Sequence, residues 1–264
     1  LKPSWLSDAI LVLIAATQLR FAMSVPGNVN ASPLLGAETC TNFRSASRTS
    51  MLKANIFCAE CIILLCAHYI LVFTPGLVWS GYPSPAERVR CQLLFAFGVV
   101  YLLRLNVMAR WLLPRELATE ELTVVVVFIC SIMASCDLGA LSSGSITWPM
   151  GIVSVVLYLF GSWMNTWSEL QRKWWKARAE NKGRCYTEGL FALSRNINYL
   201  GDVVLFAGWA LASGRWWNAW VPALMAASFY FHHIPDKESY LRVRYAEDWP
   251  SYEQRVKSFV PFVC

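Results

Sequence analysis

Long apolar runs joined by short polar connections are the main pattern along this chain. The runs cover about residues 9–25, 52–78, 91–113, 122–141, 148–163, 199–213 and 216–233. Several reach the roughly 20 residues that a helix needs to cross a bilayer. Within a bilayer a continuous helix satisfies its own backbone hydrogen bonds. The pattern therefore predicts an all-α integral membrane protein, a helical bundle with about seven transmembrane helices.

The first apolar run is the weakest candidate for a membrane span. It follows Ser7 and Asp8, which can cap a helix, but Gln18 and Arg20 interrupt it. Residues 26–50 are rich in Asn, Ser, Thr, Gly and Pro and show no apolar periodicity, which is typical of a loop.

Composition agrees with the membrane interpretation. Hydrophobic residues make up 56% of the 264 residues and charged residues only 15%, and the mean hydropathy is +0.41. The net charge is +6, yet the basic residues cluster beside apolar runs, so we expect no nucleic-acid partner. By the positive-inside rule, the polar segment 165–198 is a cytosolic loop, and so is the basic tail from Pro235.

The chain reads as a single membrane domain with two parts. Residues 1–164 carry most of the spans and form the substrate side, and residues 165–264 form the cofactor-binding region. We expect the loop and the C-terminal tail to cap the cofactor site. The chain has nine cysteines, of which Cys58 and Cys61 form one C-x-x-C motif without a second pair. We therefore predict that the cysteines in the apolar runs are small apolar packing residues and that there is no metal site.

The run from Glu188 to Asp202, EGLFALSRNINYLGD, has the residues of a binding site. Arg195 offers a planar donor fork suited to phosphate or carboxylate. Asn198 and Tyr199 add neutral donors and acceptors. Asp202 opens the next apolar run, where an ionisable side chain suggests function. The alternative is that arginine and tyrosine only anchor the chain at the membrane interface.

The same run resembles the R-H-P-N-Y-L-G-E or R-H-x-N-Y-L-G-D signature of the steroid 5-alpha-reductase and sterol reductase superfamily, whose fold is related to that of isoprenylcysteine methyltransferases. The resemblance continues upstream in SELQRKWWKARAENKGRCYTEGL and downstream in DKESYLRVRYAEDWPSYEQRVKSFVPFV. It covers about the last hundred residues, in the family's order and spacing. Asn196 and Ile197 stand where many members have His and Pro, so the role of that histidine does not carry over.

The resemblance implies NADPH as cofactor, and the absence of a G-x-G-x-x-G after a strand argues against a Rossmann site. By position, the implied cofactor contacts are Asn165, Glu169, Lys176, Arg178, Arg195, Asn198, Tyr199 and Asp202, with Glu238 and Tyr240 closing the site from the tail. Basic residues on the loop and tail suit a dinucleotide that carries an additional 2′-phosphate.

The family's catalytic acid is a tyrosine with a glutamate partner on N-terminal spans. The stretch VVYLLR resembles the tyrosine-bearing segment, so Tyr101 is the predicted proton donor. Glu60 is its predicted partner, because it is the acid set most deeply in apolar sequence. A helix–helix hydrogen bond is the alternative role for Glu60.

These features predict an NADPH-dependent oxidoreductase acting on a CH–CH bond, an enone-type double bond of a steroid, sterol or other lipid. We expect it in the endoplasmic reticulum membrane, with a cytosolic C-terminus and contacts to membrane lipids. Two alternatives stay open. One is an isoprenylcysteine-type methyltransferase that uses S-adenosylmethionine. The other is a non-catalytic reductase-like subunit of a larger membrane complex, with partners in that complex.

Overall fold

The computed structural model describes residues 51–73, 85–112, 119–141, 143 and 146–263. The predicted span over residues 9–25 and the predicted loop over residues 26–50 lie outside this part. The chain divides into two compact units, Leu1–Tyr82 with Gly98–Asp137, and Pro83–Phe97 with Leu138–Cys264. Every regular element in the described residues is helical, so the predicted all-α class is confirmed.

Three long helices belong wholly or partly to the first unit: α1 (Met51–Phe73), α2 (Pro85–Val107) and α3 (Thr119–Leu141). A π-helical turn, Met108–Leu112, continues α2. On α1 the buried side chains Ala54, Phe57, Cys61 and Leu64 recur at the spacing of one helical face. Their neighbours Ile56, Ile62 and Ile63 are exposed.

The second unit contains the remaining helices, α4 (Trp148–Lys176), α5 (Ile197–Ser213), α6 (Trp220–Ser228), α7 (Ile234–Arg244) and α8 (Trp249–Arg255). A π-helical turn, Phe229–His233, links α6 to α7. Pro235 follows that turn in the first turn of α7. Because proline lacks an N–H and disturbs the turn before it, the widened backbone falls where it is expected.

The prediction that residues 165–198 form a loop is wrong for its first third. Helix α4 continues to Lys176, and short 3₁₀ turns follow at Ala179–Asn181 and Gly189–Ala192. The physical reason is local, because the segment from Leu170 to Lys176 lacks glycine and proline and contains good helix formers. Lys173 and Lys176 in the last turn also complement the helix dipole.

Four helices in the described residues are long and apolar enough to cross a membrane: Leu52–Ile70, Arg88–Leu112, Leu122–Leu141 and Trp148–Lys176. Helix α5 is a shorter apolar helix. The side chains of α4 are arranged as in a membrane protein, because small or polar Ser154 and Gly161 are buried while Val156 and Phe160 are exposed. The chain is an integral membrane protein.

Glycines bring α4 and α5 into backbone contact. A Cβ added at Gly161 would lie 2.3 Å from the backbone nitrogen of Leu205, and one at Gly201 would lie 2.7 Å from that of Asn165. Only glycine allows two helices to approach this closely. The contact places the middle of α4 directly against the first half of α5.

The C-terminal tail packs on the connection between α4 and α5. Cys185, Trp249, Tyr252 and Val256 form one buried cluster. The Tyr252 hydroxyl donates a hydrogen bond of 2.8 Å to the carbonyl oxygen of Phe191. The tail is therefore a folded part of the second unit.

Candidate functional site

A network of buried polar side chains lies where α4 meets α5. The Asn165 amide nitrogen donates to the carbonyl oxygen of Asn198 and to the Asp202 carboxylate, each at 2.9 Å. The Asn198 amide nitrogen donates to Glu169 at 3.0 Å. Asn165, Glu169 and Asn198 are all buried. The structure therefore brings together four of the residues that the sequence assigned to one site.

Two acceptors in this network are left without protein partners. Among the described residues, the side-chain oxygens Oδ1 of Asn165 and Asn198 are buried and accept no hydrogen bond. A buried amide oxygen without a donor costs about 1–3 kcal/mol. The two oxygens, beside Glu169 and Asp202, are acceptors that a ligand or a water with hydroxyl or amide donors could satisfy.

Arg195 is almost fully engaged within the protein. Its guanidinium binds the Glu238 carboxylate through two parallel hydrogen bonds of 2.9 Å. It also donates to the carbonyl oxygens of Glu253 at 3.0 Å and Val256 at 2.5 Å. Both charged side chains are buried. The Arg195 guanidinium, which the sequence suggested as a phosphate donor, thus holds the tail against the start of α5.

Asn196, at the position where many relatives of the signature have histidine, belongs to the same clamp. Its amide nitrogen donates to Glu238 and to the carbonyl oxygen of Ser258, each at 2.9 Å. The Ser258 hydroxyl donates to Glu238 at 3.0 Å. Glu238 therefore accepts hydrogen bonds from three side chains, those of Arg195, Asn196 and Ser258.

Tyr199 and Lys237 form a second feature of the site. The Tyr199 ring stacks on Phe229 with ring centroids 4.5 Å apart. The ammonium nitrogen Nζ of Lys237 lies 4.7 Å from the centroid of the Tyr199 ring and 5.9 Å from that of Phe191. Burial lowers the pKa of Lys237 to about 8, and the charge of Arg172 acts in the same direction. Nothing in the sequence singled out Lys237.

Three further predicted contacts lie toward the surface. The Lys176 ammonium donates to the Tyr245 hydroxyl at 2.5 Å and to the carbonyl oxygen of Arg184 at 2.9 Å. Arg178 is exposed at the start of a 3₁₀ turn, and Tyr240 is half-buried on α7. The hydrogen bonds of Lys176 lead to the tail and to the connection after α4, away from the Asn165–Asp202 network.

An open cavity of about 660 Å³ lies on the tail side of the clamp. Its lining residues are Arg195, Tyr230, Ile234, Pro235, Glu238, Arg242, Glu253, Lys257 and Ser258. Neither Asn165 nor Asn198 lines it. We place the candidate site at the buried amides, because unsatisfied polar atoms point to a ligand more directly than an open depression does.

The predicted catalytic residues lie in the first unit. Tyr101 on α2 is buried, and the Arg104 guanidinium carbon lies 5.0 Å from its ring centroid. Glu60 is half-buried on α1. The two side chains therefore come from two different helices of the unit.

The sequence did not identify the buried pair of His68 and Asp137. The imidazole nitrogen Nδ1 lies 2.5 Å from the Asp137 carboxylate, and both side chains are buried. A Cβ added at Gly98 would lie 3.6 Å from the imidazole. The two partners are 69 residues apart. The sequence feature that could have indicated this pair is that His68 and Asp137 are ionisable residues, each within a predicted apolar run.

Comparisons with known proteins agree with the C-terminal resemblance. Residues 119–256, more than half of the chain, match the model of a family described as a protein of unknown function (DUF1295). The Delta(14)-sterol reductase of Candida albicans is 35% identical over 78 residues, which are 29% of this chain and 17% of that protein. The corresponding reductase of Saccharomyces cerevisiae is 31% identical over 80 residues, 29% of this chain and 18% of that protein.

A methyltransferase also matches. Protein-S-isoprenylcysteine O-methyltransferase B of Arabidopsis thaliana is 31% identical over 88 residues, 33% of this chain and 45% of that protein. The chain thus spans less than half the length of each of these three relatives.

Proposed function

This chain belongs to the DUF1295 family, a steroid 5-alpha-reductase-like family, and from that premise we propose that it is a membrane-embedded, NADPH-dependent reductase. Its proposed substrate is a steroid, sterol or other lipid with an enone-type carbon–carbon double bond. The likeness to two sterol reductases and one isoprenylcysteine methyltransferase supports a lipid-directed membrane enzyme. The choice of a reductase rests on the site.

The observation that carries the proposal is the pair of unsatisfied amide oxygens, Oδ1 of Asn165 and Asn198, beside two carboxylates. A nicotinamide ribose offers hydroxyl and carboxamide donors that such acceptors bind. Asp202, which accepts from Asn165, supplies a further carboxylate at the same place. The donor and acceptor set therefore fits the sugar and amide part of a nicotinamide nucleotide.

When bound there, NADPH supplies a hydride. The residues of this chain then have separate roles in the proposal. Asn165 and Asn198 orient the ribose and carboxamide, and Asp202 and Glu169 hold the two asparagine side chains through the hydrogen bonds described above. The Arg195–Glu238 clamp fixes the tail, so in this proposal Arg195 is a positioning residue.

Tyr101 is the proposed proton donor, with Glu60 as its partner. A carbonyl oxygen that accumulates negative charge as its β-carbon is reduced needs a donor in the transition state. The phenol of Tyr101 is suited to that task because its side chain is buried on a helix of the first unit. The proposed location is the endoplasmic reticulum, with the C-terminus cytosolic.

The methyltransferase is the second candidate, because the Arabidopsis enzyme matches over the largest share of its own length among the three relatives. The two candidates predict different ligands for one site. NADPH and S-adenosylmethionine therefore distinguish them directly.

The test is ligand binding by the purified full-length chain in detergent. We expect NADPH to bind, with energy transfer from tryptophan to the reduced nicotinamide, and S-adenosylmethionine not to compete. Asn198→Leu should weaken NADPH binding about 10-fold or more, because it removes the acceptor and one of the two donors that hold Glu169. The exposed Lys182→Met is the matched control. Tight binding of S-adenosylmethionine with no binding of NADPH would reject the reductase in favour of the methyltransferase.

A further inference from the structure

The Lys237 side chain is an unusual buried cation. Among the described residues, its nitrogen Nζ is shielded from solvent and makes no hydrogen bond. Nζ lies 4.7 Å from the ring centroid of Tyr199 and 5.9 Å from that of Phe191. A cation over an aromatic face gains about 0.5–2 kcal/mol. This is less than the several kcal/mol that burial of an ammonium costs.

The nearby carboxylates are already committed to other donors. Glu238 binds Arg195, Asn196 and Ser258. Glu169 accepts from Asn198 and pairs with Arg172. Neither carboxylate hydrogen-bonds Lys237 among the described residues, so the ammonium lacks a matched counter-ion inside the protein.

The other charged side chains near Lys237 are already paired with one another. The Arg172 guanidinium carbon lies 5.7 Å from the Phe191 ring centroid, so this ring is shared with Lys237. Arg172 is paired to Glu169, so among the described residues the Lys237 ammonium has no hydrogen-bonded carboxylate of its own. Such a place attracts an anion. Neutral groups such as a carboxamide would satisfy a hydrogen bond but would not balance the buried charge.

We propose that Lys237 binds a phosphoryl group of the ligand, donating from Nζ to a phosphoryl oxygen beside the Asn165–Asn198 site. The inference rests on the proposed function, in which that phosphoryl group belongs to NADPH. A phosphoryl group suits the position because it is anionic and offers several acceptors to the three protons of an ammonium. It also provides what the folded chain lacks, a counter-ion for a desolvated lysine.

A purely structural role for Lys237 makes the opposite prediction for stability. A lysine that holds the fold together would be costly to remove. An unpaired buried ammonium instead destabilises the ligand-free protein, so its removal should leave the melting temperature unchanged or raise it. Lys237→Met keeps the length of the side chain and removes the charge, and Lys237→Arg keeps the charge.

The experiment uses the full chain in nanodiscs with four forms: wild type, Lys237→Met, Lys237→Arg and the control Lys182→Met. NADPH, NADH and inorganic pyrophosphate are titrated by calorimetry. In a second arm, short-chain phosphatidic acid or, as a control, short-chain phosphatidylcholine is titrated into the same four forms. Thermal unfolding of each ligand-free form is measured in parallel.

We expect Lys237→Met to weaken NADPH binding about 10- to 100-fold, the range for a lost hydrogen bond to a charged group. Its ligand-free melting temperature should not fall, and Lys237→Arg should recover part of the affinity. A loss confined to NADPH assigns the 2′-phosphate, and equal losses for NADPH, NADH and pyrophosphate assign the diphosphate. Unchanged NADPH affinity, or a lower melting temperature with unchanged affinity, overturns the proposal.

The design separates this proposal from the proposed function. If wild type binds no dinucleotide but binds phosphatidic acid through Lys237, the reductase fails and the phosphoryl assignment stands with a lipid as its source. If neither ligand binds in a Lys237-dependent way, both are rejected. If NADPH binds with equal affinity to wild type and Lys237→Met, only the role of Lys237 is rejected.

Discussion

The buried ion pair of Arg195 and Glu238 gives the sharpest stability prediction. Arg195→Met removes two hydrogen bonds of 2.9 Å to the carboxylate and two to backbone carbonyls of the tail. Glu238 would remain buried without its counter-ion. Breaking a buried pair from one side costs about 3–5 kcal/mol. We therefore expect the melting temperature to fall on the order of 10 °C.

The tail should come loose before the helices unfold. The backbone nitrogen of Arg195 also donates to the carbonyl oxygen of Lys257 at 2.9 Å, so one residue holds several points of the tail. Limited proteolysis should cut Arg195→Met within residues 245–263 at protease concentrations that leave wild type intact. NADPH affinity should fall in parallel with the loss of the tail.

A double-mutant cycle with Glu238→Gln isolates the pair itself. The double variant should be less destabilised than the sum of the two single variants, by about 1–3 kcal/mol, since each single change already breaks the pair. The more exposed pair of Arg242 and Glu253 is the matched control. Its removal should cost less than about 1 kcal/mol. If Arg195→Met lost NADPH binding with no change in melting temperature or proteolysis, Arg195 would contact the ligand directly and the positioning role would be wrong.

Four further predictions follow from other contacts. Gly161→Ala should lower the melting temperature and NADPH affinity together, because its Cβ would lie 2.3 Å from a backbone nitrogen; Gly151→Ala, whose nearest contact is at 3.7 Å, should change neither. Asp137→Ala removes the hydrogen-bond partner of a buried imidazole nitrogen and should cost about 1–3 kcal/mol; an unchanged melting temperature would argue against a structural pair. Tyr101→Phe should reduce turnover about 10²- to 10³-fold with NADPH affinity retained; full activity on the true substrate would remove the third predicted span from the active site. Since the folded-state pKa of Lys237 is lowered from 10.5 to about 8, the unfolded chain binds more protons between those values, so this group makes stability rise with pH there. Lys237→Met should lose that rise in thermal unfolding measured across the window, and an identical pH profile would contradict the assignment. The groups that act on the Lys237 charge are Arg172, Glu169, Glu238 and Cys185.

Several residues of the candidate site could be predicted because the resemblance fixed them by position. Asn165, Asn198 and Asp202 were assigned to one site, and the structure joins them by direct hydrogen bonds. Arg195 was also assigned there as a phosphate donor, but its fork binds Glu238 in the folded chain. Residue type predicts that an arginine seeks an anion, but it does not say which anion it finds.

By itself the sequence determined the helical class and the membrane setting. Apolar runs in a bilayer have to form helices, because no water is available for unpaired backbone groups. Only the tertiary structure decided the partners of the polar side chains. The pairs of His68 with Asp137 and Arg195 with Glu238 join residues 69 and 43 positions apart, and the Lys237 ammonium is isolated because nearby carboxylates bind other donors. Such pairings depend on how closely helices approach, as at Gly161 and Leu205, and that distance is set by packing across the fold, which no local pattern encodes.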